Sequence, residues 1–255
     1  ACRAELDLNR RTAPALYLRV RRLTRDGGGI AFDGRGELVD AVVEMARFDQ
    51  DCLFDHMAAA GQLTPALMEG LARNIADFHA SAQVLRMGGA ENMAWVLGIN
   101  EAGFAGSSVF SASEQAGLNT AFRAALERHA PALDRRADAG RVRRCHGDLH
   151  LRNICLIGGR PLLFDCIEFN EKLASIDVAY DLAFLLMDLW HRGLAGLANL
   201  VANRWCDATG DEDGFALLPF FMAVRAAVRA HVIATQAETA DTGRERLAAE
   251  ARRYF

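Results

Sequence analysis

The spacing of hydrophobic residues changes once along the chain, and this change restricts the fold more than any other feature of the sequence. Residues 16–23 alternate apolar and basic side chains, which is the period of a half-buried strand. Two further apolar runs, 30–32 and 38–45, are bounded by glycine-rich turns. From Thr64 onward, apolar residues recur every three or four positions, as on one face of a helix. We therefore predict an α+β fold with a small antiparallel sheet first and a larger helical part after it.

Helix start and stop signals support the predicted helices. Thr64 is a favourable N-cap, and Pro65 suits the first helical position. A later helix is expected to end before Pro131, because proline disrupts the hydrogen bonds of a helix interior. Further helices are predicted at 176–190, 219–236 and from residue 242, with one short pair of strands at 154–157 and 162–164.

The chain is expected to divide into two lobes joined near residues 44–49. The first, 1–47, is a partial β-rich lobe with a helix end, the small sheet and a hinge; the second, 48–255, is helical. Ala1 lies inside a helical pattern, and Phe255 follows one without a capping residue. We therefore expect this sequence to be a segment of a longer protein.

Composition and charge argue against several classes of protein. With 51% hydrophobic and 24% charged residues, the 255-residue chain resembles an ordinary globular protein. The net charge of −4 and pI near 6.0 give no general attraction to nucleic acid or membranes, and neither is expected as a partner. The apolar stretch 182–190 contains Asp188 and is too short to span a bilayer. The six cysteines form no C-x-x-C pair, so we interpret them as reduced thiols of a cytoplasmic protein.

A short hairpin is predicted to bring two polar residues together. The glycine pair 158–159 lies between apolar runs 154–157 and 162–164, which is typical of an antiparallel hairpin. Asn153 and Asp165 each lie six positions from the second glycine, so they are expected to face each other at the open end. Opposed residues have Cβ atoms roughly 4.5 to 5.5 Å apart, close enough for both side chains to bind one cation.

The residues around this hairpin have the spacing of a phosphoryl-transfer site. An amide oxygen from Asn153 and a carboxylate from Asp165 suit Mg²⁺, which prefers a few protein oxygens together with phosphates and water. Asp148 lies five residues before Asn153, in the loop that enters the same strand. Kinases position a hydroxyl and bind nucleotide phosphates with three residues in a fixed order: an aspartate, an asparagine five positions later and then a second aspartate.

Residues 146–153, HGDLHLRN, resemble the phosphotransferase loop of the aminoglycoside phosphotransferase and choline kinase-like superfamily. The resemblance implies a protein-kinase-like two-lobed fold, with a truncated β-rich N-lobe and a mainly helical C-lobe. It further implies transfer of the γ-phosphoryl group of ATP or GTP to a hydroxyl of a small molecule. In such an enzyme Asp148 accepts or orients the hydroxyl proton, while Asn153 and Asp165 bind Mg²⁺.

The same resemblance assigns roles outside the hairpin. Glu44, Met45 and Ala46 resemble the strand leading to the interlobe hinge, whose backbone binds adenine. Asp181 matches a buried helix aspartate that supports the catalytic loop, residues 146–153. His146 is expected to support this loop as well.

Two glutamates lie outside the residues assigned so far. Glu5 lies on the helix whose glutamate pairs with a strand lysine; that lysine and a glycine-rich loop would precede Ala1, since the only lysine here is Lys172. Glu168 is a possible further metal contact. Residues 164–170 differ from those of drug-modifying members and resemble an uncharacterised bacterial branch, often fused to a C-terminal P-loop ATPase domain. Such a domain is a possible covalent partner.

Two other interpretations of the site are open. His146, Asp148 and His150 alternate, so on a strand they would share a face and could bind zinc or iron, as in a metal hydrolase. Alternatively, the chain is a non-catalytic kinase-like module that binds nucleotide or regulates a fused ATPase.

The remaining charged residues are given ordinary roles. His56 and His79 are interpreted as surface or helix-face residues. Arg141, Arg143 and Arg144 are interpreted as a solvated face, with phosphate binding as the less favoured role.

Overall fold

A three-stranded antiparallel sheet with one short helix forms the beginning of the protein. The computed structural model describes residues 1–255, apart from the side chain of Asp26. The order of strands in the sheet is β2-β1-β3, with β1 paired to both neighbours. The elements are α1 (Cys2–Asn9), β1 (Tyr17–Asp26), β2 (Gly29–Phe32) and β3 (Glu37–Met45).

Helices form most of the remaining chain, which confirms the predicted α+β class. They are α2 (Phe54–Ala59), α3 (Pro65–Ser81), α4 (Gly89–Ala105), α5 (Ala112–Asp138), α6 (Glu171–Ala174), α7 (Val178–His191), α8 (Ala195–Thr209), α9 (Glu212–Thr239) and α10 (Arg244–Tyr254). Two antiparallel strand pairs lie among them: β4 (Val142–Arg144) with β7 (Ser175–Asp177), and β5 (Ile154–Ile157) with β6 (Arg160–Leu163).

Two helix boundaries differ from the sequence signals: α9 begins at Glu212 and not at Pro219, and α5 does not end before Pro131. Thr64 accepts a hydrogen bond from the Leu67 backbone at 3.3 Å and caps α3, as predicted. The prediction that a helix ends before Pro131 is wrong, because α5 continues to Asp138. Beyond the proline, Leu133 and Arg136 are almost fully buried. Their packing outweighs the cost of about 3 kcal/mol that a proline brings to a helix interior.

The main hydrophobic core surrounds α7. Every residue of α7 from Val178 to Leu189 is buried, as expected for a helix that is apolar nearly all round. Helices α8 and α9 pack against it, and α3 packs against α8. By length and composition α9 could cross a membrane, but more than half of its apolar stretch is buried inside the protein. The apolar composition of α9 is therefore explained by its place in the hydrophobic core.

A second, smaller cluster joins the N-terminal sheet to the β5–β6 hairpin. Leu16 and Tyr17 at the start of β1 are buried together with Cys155 of β5. Phe164, just after β6, lies edge-on to Phe48 with ring centroids 5.7 Å apart. The hairpin is therefore held between the sheet and the helices.

Candidate active site

The β5–β6 hairpin has a register one position different from the predicted one. Ile154 pairs with Leu163, and the Phe164 N–H donates to the Asn153 carbonyl at 3.0 Å. Both turn glycines have positive φ, +57° and +76°, so the hairpin is centred between them and not on the second. The prediction that Asn153 directly faces Asp165 is therefore wrong. Asp165 follows the last paired residue.

Asp165 nevertheless lies beside the other carboxylate of the site. Its backbone is left-handed, with φ of +63°, which turns the chain directly after the hairpin. Although the side chain of Asp165 reaches solvent, the protein around it removes part of its hydration and raises its pKa, and the nearby Asp148 carboxylate raises the pKa further. A cation bound between the two carboxylates would relieve this repulsion.

Asn153 joins Asp148 to the hairpin. Its Nδ2 donates to Asp148 Oδ2 at 2.9 Å and to the Asp148 carbonyl at 3.0 Å. Since the amide nitrogen is used in this way, the amide oxygen is the atom with which Asn153 can bind a cation. The donor set is then the Asp165 carboxylate and one amide oxygen, which suits Mg²⁺ together with phosphate and water oxygens.

Asp148 combines partial exposure with a stabilised negative charge. Its side chain is 37% exposed, and His150 Nε2 lies 3.3 Å from its Oδ2. Burial opposes ionisation, but the hydrogen bond and the charge of His150 outweigh it, and the pKa of Asp148 lies below its usual range. At neutral pH Asp148 is therefore a carboxylate that can accept a hydrogen bond.

Two buried carboxylates on α7 support the backbone of the catalytic loop. Asp181 accepts hydrogen bonds from the backbone N–H groups of His146 at 3.1 Å and Gly147 at 2.8 Å. Asp188 accepts from the N–H of Leu151 at 3.0 Å. The two aspartates are seven residues apart, so they lie about two turns apart on one side of α7. In the sequence, Asp188 is visible only as an interruption of an apolar run, so its role was not predicted.

Asp181 is itself held by a chain of buried hydrogen bonds. Trp205 Nε1 donates to His79 Nδ1 at 3.1 Å, so His79 Nε2 carries the proton and donates to Asp181 at 3.1 Å. The interpretation of His79 as an ordinary surface or helix-face residue is therefore wrong, since its side chain is 2% exposed. Its partners lie more than one hundred residues away in sequence, so no local pattern reveals them.

Arg225 of α9 fixes the other side of the same loop. Its Nη1 donates to the Gly147 carbonyl at 3.1 Å, and its Nε donates to the Tyr180 carbonyl at 3.2 Å. The guanidinium also lies 3.9 Å from the centroid of the Tyr180 ring. Gly147 has φ of +87°, and a Cβ there would lie 3.0 Å from Ile167. Glycine is therefore required where the loop turns. No local sequence pattern marks Arg225 as a support of this loop.

The histidines do not form the alternative transition-metal site. The Asp148 N–H donates to His146 Nδ1 at 3.3 Å, and His146 Nε2 donates to the Phe164 carbonyl at 2.9 Å. Both ring nitrogens of His146 are thus engaged in joining the loop to the end of β6. The proposed zinc or iron site at His146, Asp148 and His150 is inconsistent with this geometry.

Among the described side chains, a different group brings metal-binding atoms within 4.8 Å of one another: His79, Cys145 and Asp181. These atoms are already used inside the protein. His79 Nε2 and Asp181 bond to each other, and Cys145 Sγ lies 3.4 Å from the Ile176 carbonyl as a donor. Burial also raises the pKa of the Cys145 thiol, which disfavours the thiolate that a metal requires. The group is a support for the loop.

A cleft of about 700 Å³ lies at the predicted hinge. It is lined by residues 45–50, so Met45 and Ala46 contribute to it. Glu44 instead directs its side chain to Arg19 of β1 at 2.7 Å. The Ala46 N–H donates to the Leu16 carbonyl at 2.8 Å, so that backbone group belongs to the sheet.

Glu5 and Glu168 lie near the candidate metal site. Burial raises the pKa of Glu5, and the carboxylates of Glu168 and Asp165 raise it further. Lys172 does not pair with Glu5 and instead places its Nζ 4.4 Å from the centroid of the Trp95 ring.

The arginine run has a structural role that was not predicted. Arg143 Nη1 donates to the carbonyls of His79 at 2.8 Å and Ala80 at 2.7 Å. Arg144 Nη1 donates to the Glu171 carbonyl at 2.6 Å. These guanidinium groups hold neighbouring segments together instead of forming a fully solvated face.

Comparison with known proteins identifies the family to which the chain belongs. The model of the phosphotransferase enzyme family APH matches residues 36–218, which include the catalytic loop and the hairpin. The chain belongs to this family, which confirms the resemblance seen in residues 146–153.

Comparisons with relatives and with a solved structure give the sequence identity and the share of each chain that matches. The chain is 29% identical over 238 residues to uncharacterized proteins of Mycobacterium tuberculosis and Mycobacterium bovis, covering 91% of this chain and 46% of each relative. It thus spans about half the length of the curated relatives it matches. A solved structure of a glucosamine kinase covers 87% of this chain and 63% of its own, with 18% identity and a TM-score of 0.48.

Proposed function

We propose that this protein transfers the γ-phosphoryl group of ATP or GTP to a hydroxyl group of a small molecule. The observation that carries the proposal is the hydrogen-bonded pair of Asp148 and Asn153 beside the carboxylate of Asp165. In phosphoryl transfer most of the catalysis comes from positioning and from neutralising charge, and kinases use this set of side chains for both.

The metal-binding side chains would be Asn153, through its amide oxygen, and Asp165. Mg²⁺ bound there would neutralise the negative charge of the nucleotide phosphates. Asp165 follows the hairpin in a fixed turn, and Asn153 is oriented by its bonds to Asp148.

Asp148 would orient the acceptor hydroxyl. Its carboxylate is partly exposed and ionised, so it can accept the hydrogen bond of an alcohol and turn the alcohol oxygen toward the phosphate. The backbone bonds from Asp181, Asp188 and Arg225 keep the loop in place while this happens.

The cleft at residues 45–50 is proposed to take the nucleotide base. Its volume of about 700 Å³ is within the range expected of a small-molecule site. Met45 contributes an apolar surface there, which suits a flat aromatic base.

Replacement of Asp165 tests the metal assignment. In Asp165→Ala we expect the increase in ATP affinity caused by Mg²⁺ to disappear, measured by calorimetric titration with and without Mg²⁺. Thermal unfolding should change little, because Asp165 is exposed. Asp207→Ala is the matched control, since Asp207 is an exposed carboxylate on α8. An unchanged effect of Mg²⁺ in Asp165→Ala would refute the assignment.

A second candidate function is nucleotide binding without efficient turnover, as a module of a larger protein with a P-loop ATPase domain. Kinases use a strand lysine to bind the phosphates, and Lys172 lies over Trp95 instead, so this function is favoured if the full-length protein also has no such lysine. Measurement of ATP binding and ADP release on the same sample separates the two functions. Binding with no ADP release across a panel of small alcohols would favour the module.

A further inference from the structure

Two side chains near the start of the protein accept hydrogen bonds from the backbone around Asp165. The Asp165 N–H donates to the hydroxyl oxygen of Tyr17 at 3.2 Å. The next N–H, that of Cys166, donates to Asn9 Oδ1 at 2.8 Å. Asn9 is 0% and Tyr17 is 1% exposed, so both bonds are shielded from water. The acceptors come from the end of α1 and the start of β1.

These two bonds together fix the backbone conformation of Asp165. The first holds the peptide plane before its Cα atom, and the second holds the plane after it. The rotation between those planes is set by φ and ψ of Asp165, so both angles are determined. This matters because φ is +63°, a left-handed conformation that costs aspartate more than glycine, so bonds that hold both planes stabilise it.

The acceptors are themselves oriented. Asn9 Nδ2 donates to the Glu5 carbonyl at 3.0 Å, which fixes the amide so that Oδ1 points to Cys166. The ring of Tyr17 is packed in the small cluster with Leu16 and Cys155. Each acceptor is therefore held by a contact that does not involve residues 165–166, which we call the metal loop.

A third residue of the same segment binds the strand that leads to the catalytic loop. Arg11 Nη1 donates to the Arg144 carbonyl at 2.9 Å, and its Nη2 lies 3.4 Å from the Cys145 carbonyl. Residues 9–17, which we call the clasp, thus contact the backbone both before the catalytic loop and at the metal loop.

We propose that Asn9 and Tyr17 are positioning residues that hold the Asp165 carboxylate in the orientation for Mg²⁺. The proposal rests on the function proposed above, in which Asp165 binds Mg²⁺. Since the clasp connects α1 to β1, it makes metal binding dependent on the docking of these N-terminal elements onto the hairpin.

Two variants remove one acceptor each. Tyr17→Phe keeps the packed ring and removes the hydroxyl oxygen, while Asn9→Leu removes the amide oxygen at similar size. Tyr254→Phe is the matched control, because Tyr254 is partly buried against His191, away from the hairpin. The first measurement is residue-resolved hydrogen exchange of the Asp165 and Cys166 amides in the protein without ligand. We expect exchange to become about tenfold faster at the amide that loses its acceptor, the effect of one buried hydrogen bond.

The second measurement is the Mg²⁺ concentration needed for half-maximal ATP binding. We expect it to rise about tenfold in Tyr17→Phe and Asn9→Leu, with ATP affinity in the absence of Mg²⁺ unchanged. Excess Mg²⁺ should restore binding, which would not happen if the variants were only misfolded. Unchanged exchange and an unchanged Mg²⁺ requirement in both variants would overturn the proposal. If the wild-type protein bound no Mg·ATP, the proposed function would fail, and exchange at the two amides would alone decide whether the clasp holds Asp165.

Discussion

At the scale of single residues, Asp148 is already prepared for its proposed task by its neighbours. Asn153 and His150 both hydrogen-bond to its carboxylate, leaving part of the side chain accessible. The lowered pKa makes Asp148 a weak proton acceptor in the ground state. Its main contribution should therefore be to orient the acceptor hydroxyl, with proton transfer occurring late in the reaction.

The first prediction concerns the charge of this residue. Asp148→Asn should lower turnover by a factor of about 10² to 10⁴, because a positioned acid–base group is lost. The affinity for Mg·ATP should stay within about threefold of the wild-type value, since asparagine has nearly the same size and shape as aspartate. ADP release with an alcohol acceptor and calorimetric ATP titration measure the two effects. Turnover close to that of the wild type would rule out the role given to Asp148.

The second prediction concerns the support beneath the loop. His79→Leu leaves the Trp205 N–H and one acceptor position of Asp181 without their partner. We expect a loss of about 1 to 3 kcal/mol in the free energy of unfolding for a buried polar group left unpaired. Denaturant unfolding measures it, with the exposed His56→Leu as control. Equal losses in the two variants would show that the buried chain of hydrogen bonds is unimportant.

The residues that carry the proposed chemistry were visible in the sequence, whereas their supports were not. Asp148, Asn153 and Asp165 lie within eighteen positions of one another, so local spacing and the hairpin signal suggested their grouping. His79 and Arg225 lie in helices that carry several other polar residues, so nothing local distinguishes them from residues that face the solvent. Only the packing of distant helices decides that they meet the catalytic loop.

At the scale of elements, one arginine joins the ends of three helices. Arg136 of α5 pairs with Asp177, the N-cap of α7, at 2.7 Å, and with Asp211, the N-cap of α9. Asp211 also accepts the Gly214 N–H at 3.1 Å. All the charges are buried and paired, so removal of one partner should cost more than a surface ion pair would.

The third prediction is the pH dependence of this junction. Burial opposes ionisation of Asp211, but Arg136 outweighs it and lowers the pKa of Asp211 in the folded protein. A lowered folded pKa stabilises the protein above the unfolded pKa of about 4, and this stability is lost as pH falls further. The wild-type Tm should therefore decrease as the pH is lowered below about 4. Asp211→Asn should have a lower Tm than the wild type at pH 7, and its Tm should decrease less as the pH is lowered. Parallel Tm curves for the two proteins would contradict this explanation.

The elements themselves were predicted better than their details. Alternation in residues 16–23 and the glycine turns identified the sheet, because both signals are local. The hairpin register was wrong by one residue, since a pair of glycines can form a turn centred on either one or between them. The continuation of α5 beyond Pro131 was not predicted, because the burial of Arg136, which holds this part of the helix, depends on residues distant in sequence.

At the scale of the whole molecule, the metal loop lies where two hydrophobic clusters meet. The smaller cluster joins β1 to the hairpin, and the larger one places α7 beneath the catalytic loop. Asp165 is therefore held from the sheet side by Tyr17, whereas the catalytic loop is held from the helical side by Asp181. The site depends on contacts with both parts.

The fourth prediction concerns the only lysine of the chain. Because Lys172 lies over the Trp95 ring, it should not bind nucleotide phosphates. Lys172→Met should leave the affinity for Mg·ATP unchanged, with a stability loss of at most about 1 kcal/mol for the exposed cation–π contact. Calorimetric titration measures the affinity. A tenfold weaker affinity would place the lysine at the phosphates and change the proposed geometry.

The most direct test of the metal site is a crystal structure of the chain with Mg²⁺ and a non-hydrolysable ATP analogue. We expect a Mg²⁺ ion at about 2.1 Å from the amide oxygen of Asn153 and from a carboxylate oxygen of Asp165. The terminal phosphate should face Asp148, and the base should lie in the cleft at residues 45–50. A Mg²⁺–nucleotide complex bound without contact to either Asn153 or Asp165 would contradict the proposed metal site.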